Sequence, residues 1–328
     1  MMRIATFNLE SFGLARRTNT CLETRLRVLR PQLERLDADI LCLQEVNAQK
    51  PAGEPDRALL SLDRLIENTQ YADYCSAHTV HPKDHRLSEK HNLVTLSRWP
   101  ISDIEQVWHE LVPASSHTLL TSDPAMVESR PQKWERPVLH CVITPPGSSP
   151  LHVINLHLRA PLAAPVPGQK QGSFSWASAS AWAEGFYIAA LKRNGQALEV
   201  RMLIDRLFNE DPDARIVVCG DFNATEREVP TKIIAACVED TGNGELASRA
   251  LVHIERGIPG SQRFSVLHHG ARLMLDHIFI SHALLPIYRS FEIQNELISD
   301  EVFGFANVAG NPESYHAPLV AVFAQHER

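Results

Sequence analysis

The sequence predicts an α+β fold: a mixed sheet, or two packed sheets with helices on the outside. Three observations lead to this prediction. Apolar runs of strand length alternate with amphipathic helical segments over residues 3–69. A hairpin signal follows at 136–158, where two apolar runs flank a Pro-Gly-Ser turn. Apolar runs return at 271–281 and 316–324. Crossovers combined with hairpins are typical of a mixed sheet.

Two sequence patterns define the elements. Helices are predicted where apolar residues recur at helical spacing with charged residues between them, at 25–37, 59–69 and 195–211. Strands are predicted where short apolar runs end at polar or turn residues, at 3–9, 39–46, 91–101, twice within 136–158, and at 215–224, 271–281 and 316–324. The strand at 91–101 closes on Trp-Pro, and the strand at 215–224 ends in a Gly-Asp-Phe-Asn turn.

Two segments, 109–135 and 161–186, lack both patterns, and we predict them to be insertion loops of one domain that spans residues 1–328. The second is rich in Pro, Ala, Ser and Gly and carries Trp176, Trp182 and Phe186, and the first carries Trp134. Long insertions between strands are often lids or binding loops. The alternative is a linker that its tryptophans fasten to the core.

Composition limits the function classes. The chain has 328 residues and a formal net charge of −7, which disfavours sequence-independent coating of DNA because that binding depends on Lys and Arg. A local basic cleft is still compatible with this charge. The six cysteines form no Cys-x-x-Cys pair, which predicts a reduced, cytoplasmic protein. We expect no signal peptide, no membrane span and a monomeric state.

Polar residues recur at the ends of the apolar runs, and we place them at the carboxyl ends of strands. They are Asn8, Glu45, Asn155 with His157, Asp221 with Asn223, Asp276, and His316. Each alone is more typical of a solvated, ion-paired or structural side chain. Together they predict one cleft. Oxygen ligands such as Glu45 and Asn8 suit Mg²⁺, and imidazoles and amides can stabilise a phosphoryl oxygen as charge develops.

In chain order, the motifs TFNL, LQEV, NLHLRAP, GDFNAT, LDHIF and SYHAPLV resemble the endonuclease/exonuclease/phosphatase superfamily, the deoxyribonuclease I-like fold. The resemblance extends from Asn8 to His316. It implies a four-layer α/β/β/α sandwich, with two packed mixed sheets flanked by helices. It also implies a hydrolase that uses Mg²⁺, with Mn²⁺ as the alternative ion, to cleave a phosphodiester or phosphomonoester.

The resemblance implies a role for each motif residue. Glu45 would bind the metal, with Asn8 beside it. His157 would stabilise the phosphorane-like transition state, Asp221 would position or activate the attacking water, and Asn223 would hold that water or a phosphate oxygen. Asp276 would orient His316, which would act as general base or donate a hydrogen bond to the scissile phosphate. Members of the family differ over whether the Asp or the His is the base.

One motif departs from the family. The last motif is usually Ser-Asp-His, whereas Tyr315 stands between Ser314 and His316 here. Because a neutral phenol replaces a carboxylate at the metal site, we expect weaker metal binding unless Glu313 or Asp300 compensates. The acid–histidine pair would then join two motifs, and His277, next to Asp276, is expected not to be catalytic.

The substrate stays open between a nucleic acid, a lipid, a nucleotide and a sugar phosphate. A nuclease that acts on DNA or RNA ends and a catalytically weak binding pseudoenzyme are the alternatives. Asn155, Tyr315, Trp176 and Lys170 are the candidate substrate-binding residues, and we expect the 161–186 loop to cover the site. A zinc site at His268, His269, Asp276 and His277 is disfavoured because its spacing matches no closed Cys/His site.

Basic residues occur in three short stretches. Arg16 and Arg17 form the first, Arg25, Arg27 and Arg30 are interpreted as a solvated helix face, and Lys83, His85, Arg86 and Lys90 precede the strand at 91–101.

Overall fold

The computed structural model describes residues 1–13, 21–172, 175–302 and 312–325, so Arg16 and Arg17 lie outside the described residues. Its strands, in chain order, are β1 Met2–Phe12, β2 Ile40–Val46, β3 Cys75–His78, β4 Asn92–Ser97, β5 Ile101–Val107, β6 Ser116–His117, β7 Arg130–Pro131, β8 Val138–Ile143, β9 Leu151–His157, β10 Arg215–Asp221, β11 Val252–His253, β12 Val266–His268, β13 Ala271–Leu273, β14 Asp276–Ile280, β15 Tyr288–Ile293 and β16 Leu319–Phe323. Its α-helices are α1 Leu22–Leu36, α2 Leu60–Ile66, α3 Ala179–Glu210, α4 Val229–Ala235 and α5 Val238–Thr241.

The larger strands form two six-stranded sheets, one with the order β15-β16-β1-β2-β4-β3 and the other with the order β11-β14-β10-β9-β8-β5. Each sheet contains one parallel pair, β1 with β2 and β9 with β10, and its other neighbours are antiparallel. A parallel pair needs a crossover connection, which α1 provides in the first sheet and α3 in the second. The two sheets are therefore built alike.

Three apolar clusters separate four layers. The central cluster lies between the sheets and includes Ile4 and Cys42 from one and Val153 and Cys219 from the other. A second cluster packs α1 and α2 on the first sheet, and a third packs α3 and α4 on the second. This arrangement confirms the α+β fold and the four-layer α/β/β/α sandwich. Among the described helices, none combines the length and the apolar character needed to cross a membrane.

Helix α3 corrects one sequence prediction. It begins at Ala179, where the Ser178 hydroxyl caps it by accepting a 3.1 Å hydrogen bond from the Ala181 N–H. Part of the predicted 161–186 loop is therefore helix, because its alanines are strong helix formers. Gly185 permits a close approach of the preceding segment, since a Cβ there would lie 2.4 Å from the Ala164 carbonyl oxygen.

Helix α3 also anchors the 109–135 segment. The buried Glu199 carboxylate accepts hydrogen bonds from the backbone N–H groups of Glu110 and Leu111 at 2.9 and 3.2 Å. Glu184, fifteen residues earlier on the helix, accepts one from the Thr121 N–H at 2.8 Å. Trp134 is 2% exposed and packs against Gly195. For Trp134, the structure supports fastening to the core rather than an open lid.

Candidate active site

Strand direction brings the predicted site residues to one edge of the sandwich. Because β1 and β2 are parallel, Asn8 and Glu45 lie near the same end of the first sheet. In the second sheet, Asp221 at the end of β10 is in register with His157 at the end of β9 and with Asp276 at the start of β14. With the segment before β16, the chain supplies four carboxyl ends, those of β1, β2, β9 and β10, and two amino ends, those of β14 and β16, to the site.

The placement of Asp276 and His316 at carboxyl ends was wrong. Asp276 is the first residue of β14, and His316 precedes the first residue of β16 by three positions. Both strands run antiparallel to their central neighbours, so their starts meet the ends of those neighbours. Ser314 fixes this approach, because its hydroxyl donates to the Asn8 carbonyl at 2.7 Å and accepts from the His316 N–H at 3.1 Å.

Asp221 joins the two sheets. The Asn8 amide donates to Asp221 Oδ2 at 3.0 Å, and His157 Nε2 lies 3.3 Å from the same oxygen. The Asn223 amide also donates to Asp221 Oδ2, at 3.0 Å, and the Asn223 N–H donates to Oδ1 at 2.8 Å. Burial alone would raise the pKa of Asp221, but His316 and His157 lower it, so this carboxylate is ionised.

Glycine permits the Asp221 turn. Gly220 has φ +138°, and a Cβ there would lie 1.9 Å from the Leu156 carbonyl oxygen. Only glycine lets β10 approach β9 so closely immediately before the acidic residue.

Asp276 and His316 form a partly buried ion pair. Their atoms Oδ2 and Nδ1 are 2.8 Å apart. Burial alone would lower the pKa of His316, but Asp276 and then Asp221 raise it to about 10. The imidazole is therefore protonated at neutral pH, with Nδ1 bound to Asp276 and Nε2 left for another partner. The second oxygen of Asp276, Oδ1, is buried without a hydrogen-bond partner in the described part of the chain.

Glu45 is held between two imidazoles. His91 Nδ1 lies 3.5 Å from Glu45 Oε2, and His157 Nε2 lies 3.7 Å from Oε1. The Ser11 N–H donates to Oε2 at 2.7 Å. Burial alone would raise the pKa of Glu45, but His91 and His157 hold it well below its usual range. Burial, assisted by Arg136, lowers the pKa of His157 to about 4, so that imidazole is neutral at neutral pH.

Backbone strain accompanies these positions. Glu45, His91 and Asn223 have φ of +58°, +59° and +48°, in the left-handed region that residues other than glycine seldom adopt. The pairing of β2 with β4 shifts register between Leu43 and Val46, as at a β-bulge. Such strain is characteristic of functional sites, where the surrounding structure maintains it.

Comparison with known proteins identifies the family once this geometry is established. A sequence model of the Endonuclease/Exonuclease/phosphatase family matches residues 5–300. The chain belongs to this family.

Solved structures share its fold. A mannosyl-6-phosphatase from Bacteroides thetaiotaomicron has a TM-score of 0.58 at 14% identity, covering 99% of this chain and 100% of that one. A 3′ phosphatase from Neisseria, bound to product DNA hairpin, has a TM-score of 0.54 at 16% identity, with 99% and 100% covered. The human Nocturnin catalytic domain with bound sulfate has a TM-score of 0.55 at 14% identity, with 98% and 94% covered. At these identities, the likeness establishes the fold alone. No curated protein matches the chain.

Two side-chain groups in this family member bring together donor atoms that fit a divalent cation, the second only when His316 is deprotonated. Ligand atoms of Glu45, His91 and His157 lie within 4.8 Å of one another, and so do those of Asp221, Asp276 and His316. Each group contains a buried atom that has no hydrogen-bond partner among the described residues. This atom is His91 Nδ1 in the first group and Asp276 Oδ1 in the second. Carboxylate oxygens suit Mg²⁺, whereas the imidazoles also suit Mn²⁺.

The alternative zinc set does not assemble. His268 is exposed and pairs with Glu301 at 2.9 Å. His277 points away from the site, because its Nδ1 lies 2.8 Å from Glu255 and its Nε2 donates to the Ala224 carbonyl at 2.9 Å.

Glu10 is a site residue that sequence reasoning missed. Its carboxylate accepts a 3.1 Å hydrogen bond from the Tyr315 N–H, beside the motif that lacks the family's Asp. Burial raises the pKa of Glu10 to about 7. The acid beside Tyr315 is therefore Glu10. Asp300 instead accepts a hydrogen bond from the Gly270 N–H at 2.7 Å. The signal for Glu10 was its position two residues after Asn8.

The interpretation of Arg25 as part of a solvated helix face was wrong. This guanidinium is 3% exposed and donates to the carbonyl oxygens of Leu9 and Glu10 at 2.7 and 2.8 Å. It braces the strand end that carries Asn8 and Glu10. His91 and Arg136 were also missed as site residues, although each is the first residue of a segment predicted to form strands.

None of the candidate substrate-binding residues belongs to the two metal-fitting groups. Asn155 is fully buried, and its amide donates to the Val94 carbonyl of the other sheet at 3.1 Å, so it joins the sheets rather than facing a substrate. The Lys170 Nζ lies 4.5 Å from the Trp176 ring centre, and Trp176 packs beside Gly185 of α3. Tyr315 is 5% exposed, which leaves little of its ring for a substrate.

Proposed function

We propose that this protein is a divalent-metal-dependent hydrolase that cleaves a phosphodiester or phosphomonoester by attack of an activated water. The observation that carries the proposal is the Asp276–His316 pair at 2.8 Å, at the edge where Asp221 also meets His157 and Asn8. The sandwich fold of the family supports the same chemistry. We propose Mg²⁺ as the ion, with Mn²⁺ as the alternative.

Glu45, with His91 beside it, would hold the ion, which polarises a phosphoryl oxygen when bound. Neutral His157 donates a hydrogen bond from Nε2 as negative charge grows on the phosphoryl oxygens. Asp221 is ionised and accepts from Asn8 and Asn223, so it orients the attacking water and accepts its proton.

His316 acts beside Asp221, since ligand atoms of Asp221, Asp276 and His316 lie within 4.8 Å of one another. Its Nδ1 is held by Asp276, and Nε2 donates to the scissile phosphate or the leaving oxygen. A pKa raised to about 10 favours this donor role over a general-base role.

A double-mutant cycle tests the catalytic assignment. Asp276→Asn, His316→Ala and the double variant are assayed with p-nitrophenyl phosphate and bis-p-nitrophenyl phosphate in Mg²⁺, in Mn²⁺ and in excess chelator. Because the two residues act as one unit, each single change should lower kcat by about 100-fold or more, and the double variant should be little worse. Multiplicative losses would reject the pairing, and full turnover in chelator would reject the metal dependence.

A nuclease that acts on a DNA or RNA end is the second candidate. The Neisseria structure bound to a DNA hairpin favours it, since that protein shares this fold. A binding pseudoenzyme is disfavoured because the motif residues carry complementary charges. We further propose that the protein acts as a monomer in the cytoplasm. Its six cysteines are free, and the exposed thiols of Cys21 and Cys75 suit a reducing compartment.

A further inference from the structure

A cavity of about 470 Å³ lies beside the candidate active site. His91 belongs to its wall, so the cavity adjoins the Glu45 group. The rest of its wall comes from segments 79–92, 135–137 and 159–162. This volume is typical of a site for a small organic molecule.

The cavity is positively charged on an acidic protein. Lys90, Arg136 and Arg159 line it, and Glu135 is the acid that lines it with them. The Glu135 carboxylate is already neutralised, because Arg159 lies 3.2 Å from one oxygen and Lys192 lies 2.7 Å from the other. The wall therefore has a net positive charge, whereas the chain has a net charge of −7.

Two of the cations retain binding capacity. Arg136 donates to the Leu158 carbonyl oxygen at 2.9 Å and forms no ion pair with any described carboxylate. The Arg159 side chain is 21% exposed, and its Nη1 pairs with Glu135. A guanidinium has five N–H donors, so Arg159 can also bind an anion in the cavity.

Arg136 connects the cavity with the catalytic residues. Its charge interacts with Glu45 and Asp221, and it is one cause of the low pKa of His157. The lining also includes the apolar side chains of Val80, Pro137 and Leu162. A ligand in the cavity would thus combine an anionic group with a small apolar or sugar-like body, and it would reach the reacting phosphate.

We propose that this cavity is a second phosphate subsite and that the substrate is a small molecule with two phosphate groups. One phosphate reacts beside Glu45, Asp221 and His316, and the other binds Lys90, Arg136 and Arg159. Guanidinium groups bind phosphate through paired N–H donors, and three cations suit a phosphate, with its higher charge and three oxygens, better than a single carboxylate. This inference rests on the proposed function, because it names the substrate class of the same site.

The test compares α,ω-alkanediol bisphosphates of three to eight carbons with the matching alkyl monophosphates, using the full-length protein and Mg²⁺. At one chain length, KM for the bisphosphate should be about tenfold lower than for the monophosphate, as expected for one or two charge-assisted hydrogen bonds. Arg159→Gln and Lys90→Gln should each move that KM ratio towards one. Arg86→Gln is the matched control, because Arg86 is exposed, pairs with Asp56 and does not line the cavity.

Equal KM values for the two series, or the same ratio in Arg159→Gln as in Arg86→Gln, would overturn the subsite. Because Lys90 is exposed, Lys90→Gln should fold normally and still test the subsite if Arg159→Gln misfolds. If neither series is hydrolysed, the proposed function fails but the subsite is still tested. Calorimetric titration with both series should then show tighter binding of the bisphosphate and its loss in Lys90→Gln, and equal binding would reject the subsite.

Discussion

Glu10 provides a carboxylate beside Tyr315, where the sequence motif lacks one. A motif with Tyr in place of Asp predicts a site that has lost a carboxylate. The structure instead has Glu10 at 3.1 Å from the Tyr315 N–H, on the neighbouring strand end. Burial raises the pKa of Glu10 to about 7, so the acid is partly protonated at neutral pH until a cation or another positive charge is near.

If Glu10 replaces the carboxylate that the motif lacks, it should contribute to metal affinity. Glu10→Gln should raise the Mg²⁺ dissociation constant about tenfold, because opposite charges a few ångströms apart contribute about 1–4 kcal/mol at surface-like dielectrics. Tyr315→Asp on its own should destabilise the metal-free protein, since it places a second acid beside Glu10. The double variant Glu10→Gln, Tyr315→Asp should recover the Mg²⁺ affinity.

Calorimetric Mg²⁺ titration of the three variants measures these dissociation constants. Glu313→Gln serves as the control because the sequence had suggested Glu313 as the compensating acid. An unchanged dissociation constant in well-folded Glu10→Gln would show that Glu10 is not the replacement carboxylate.

At the level of elements, a buried network of side chains supports the turn that follows β10 and carries Asn223. His277 of β14 donates to the Ala224 carbonyl, which follows Asn223, and its other nitrogen lies 2.8 Å from Glu255. Both side chains are fully buried. Burial alone would raise the pKa of Glu255, but His253 and His277 lower it to about 2. Burial alone would lower the pKa of His277, but Glu255 raises it.

These two shifts predict a stability window. The contribution of Glu255 is present above its unfolded pKa of 4.5 and is lost as the pH falls towards 2. The contribution of His277 is present below its unfolded pKa of 6.5 and is lost as the pH rises through its higher folded pKa. Glu255→Gln should therefore lower the free energy of unfolding most between pH 4.5 and pH 6.5, the two unfolded pKa values, by about 3 kcal/mol.

Urea denaturation of wild type and variant at a series of pH values measures this difference. Glu239→Gln, an exposed acid on α5, is the control and should be neutral. A difference that stays constant down to the acid limit would contradict the charged pair.

The same elements show what the sequence could predict. Glu45, His157 and Asp221 lie at or next to the ends of β2, β9 and β10, so a strand-end rule found them. The rule also found Asn8, although β1 continues to Phe12 rather than ending at residue 9. Asp276 and His316 were found by motif but assigned to the wrong strand ends, because strand direction depends on pairings that the local pattern does not contain. The start of α3 was missed because its Ala- and Ser-rich first turns lack an apolar stripe. Arg25 was misjudged because its burial depends on backbone carbonyls from another element.

For the whole molecule, charge placement indicates the size of the substrate. Several cations that could extend a binding surface are paired with acids: Arg57 with Glu89, Arg86 with Asp56, Lys232 with Asp240, and Arg256 and Arg263 with Glu226. Long duplex DNA needs a row of cations that displace its counterions. Beside the site, Lys90, Arg136 and Arg159 instead line one cavity.

We therefore predict that the protein selects a compact phosphate ester or a strand end over long duplex DNA. Supercoiled plasmid, which has no end, should stay intact in Mg²⁺ and in Mn²⁺ under conditions where a compact phosphate ester is hydrolysed. Gel electrophoresis over time measures nicking, and a Glu45→Gln preparation controls for contaminating nucleases. Efficient nicking by wild type but not by Glu45→Gln would contradict the prediction, because the catalytic edge would then accept a continuous duplex despite the paired cations around it.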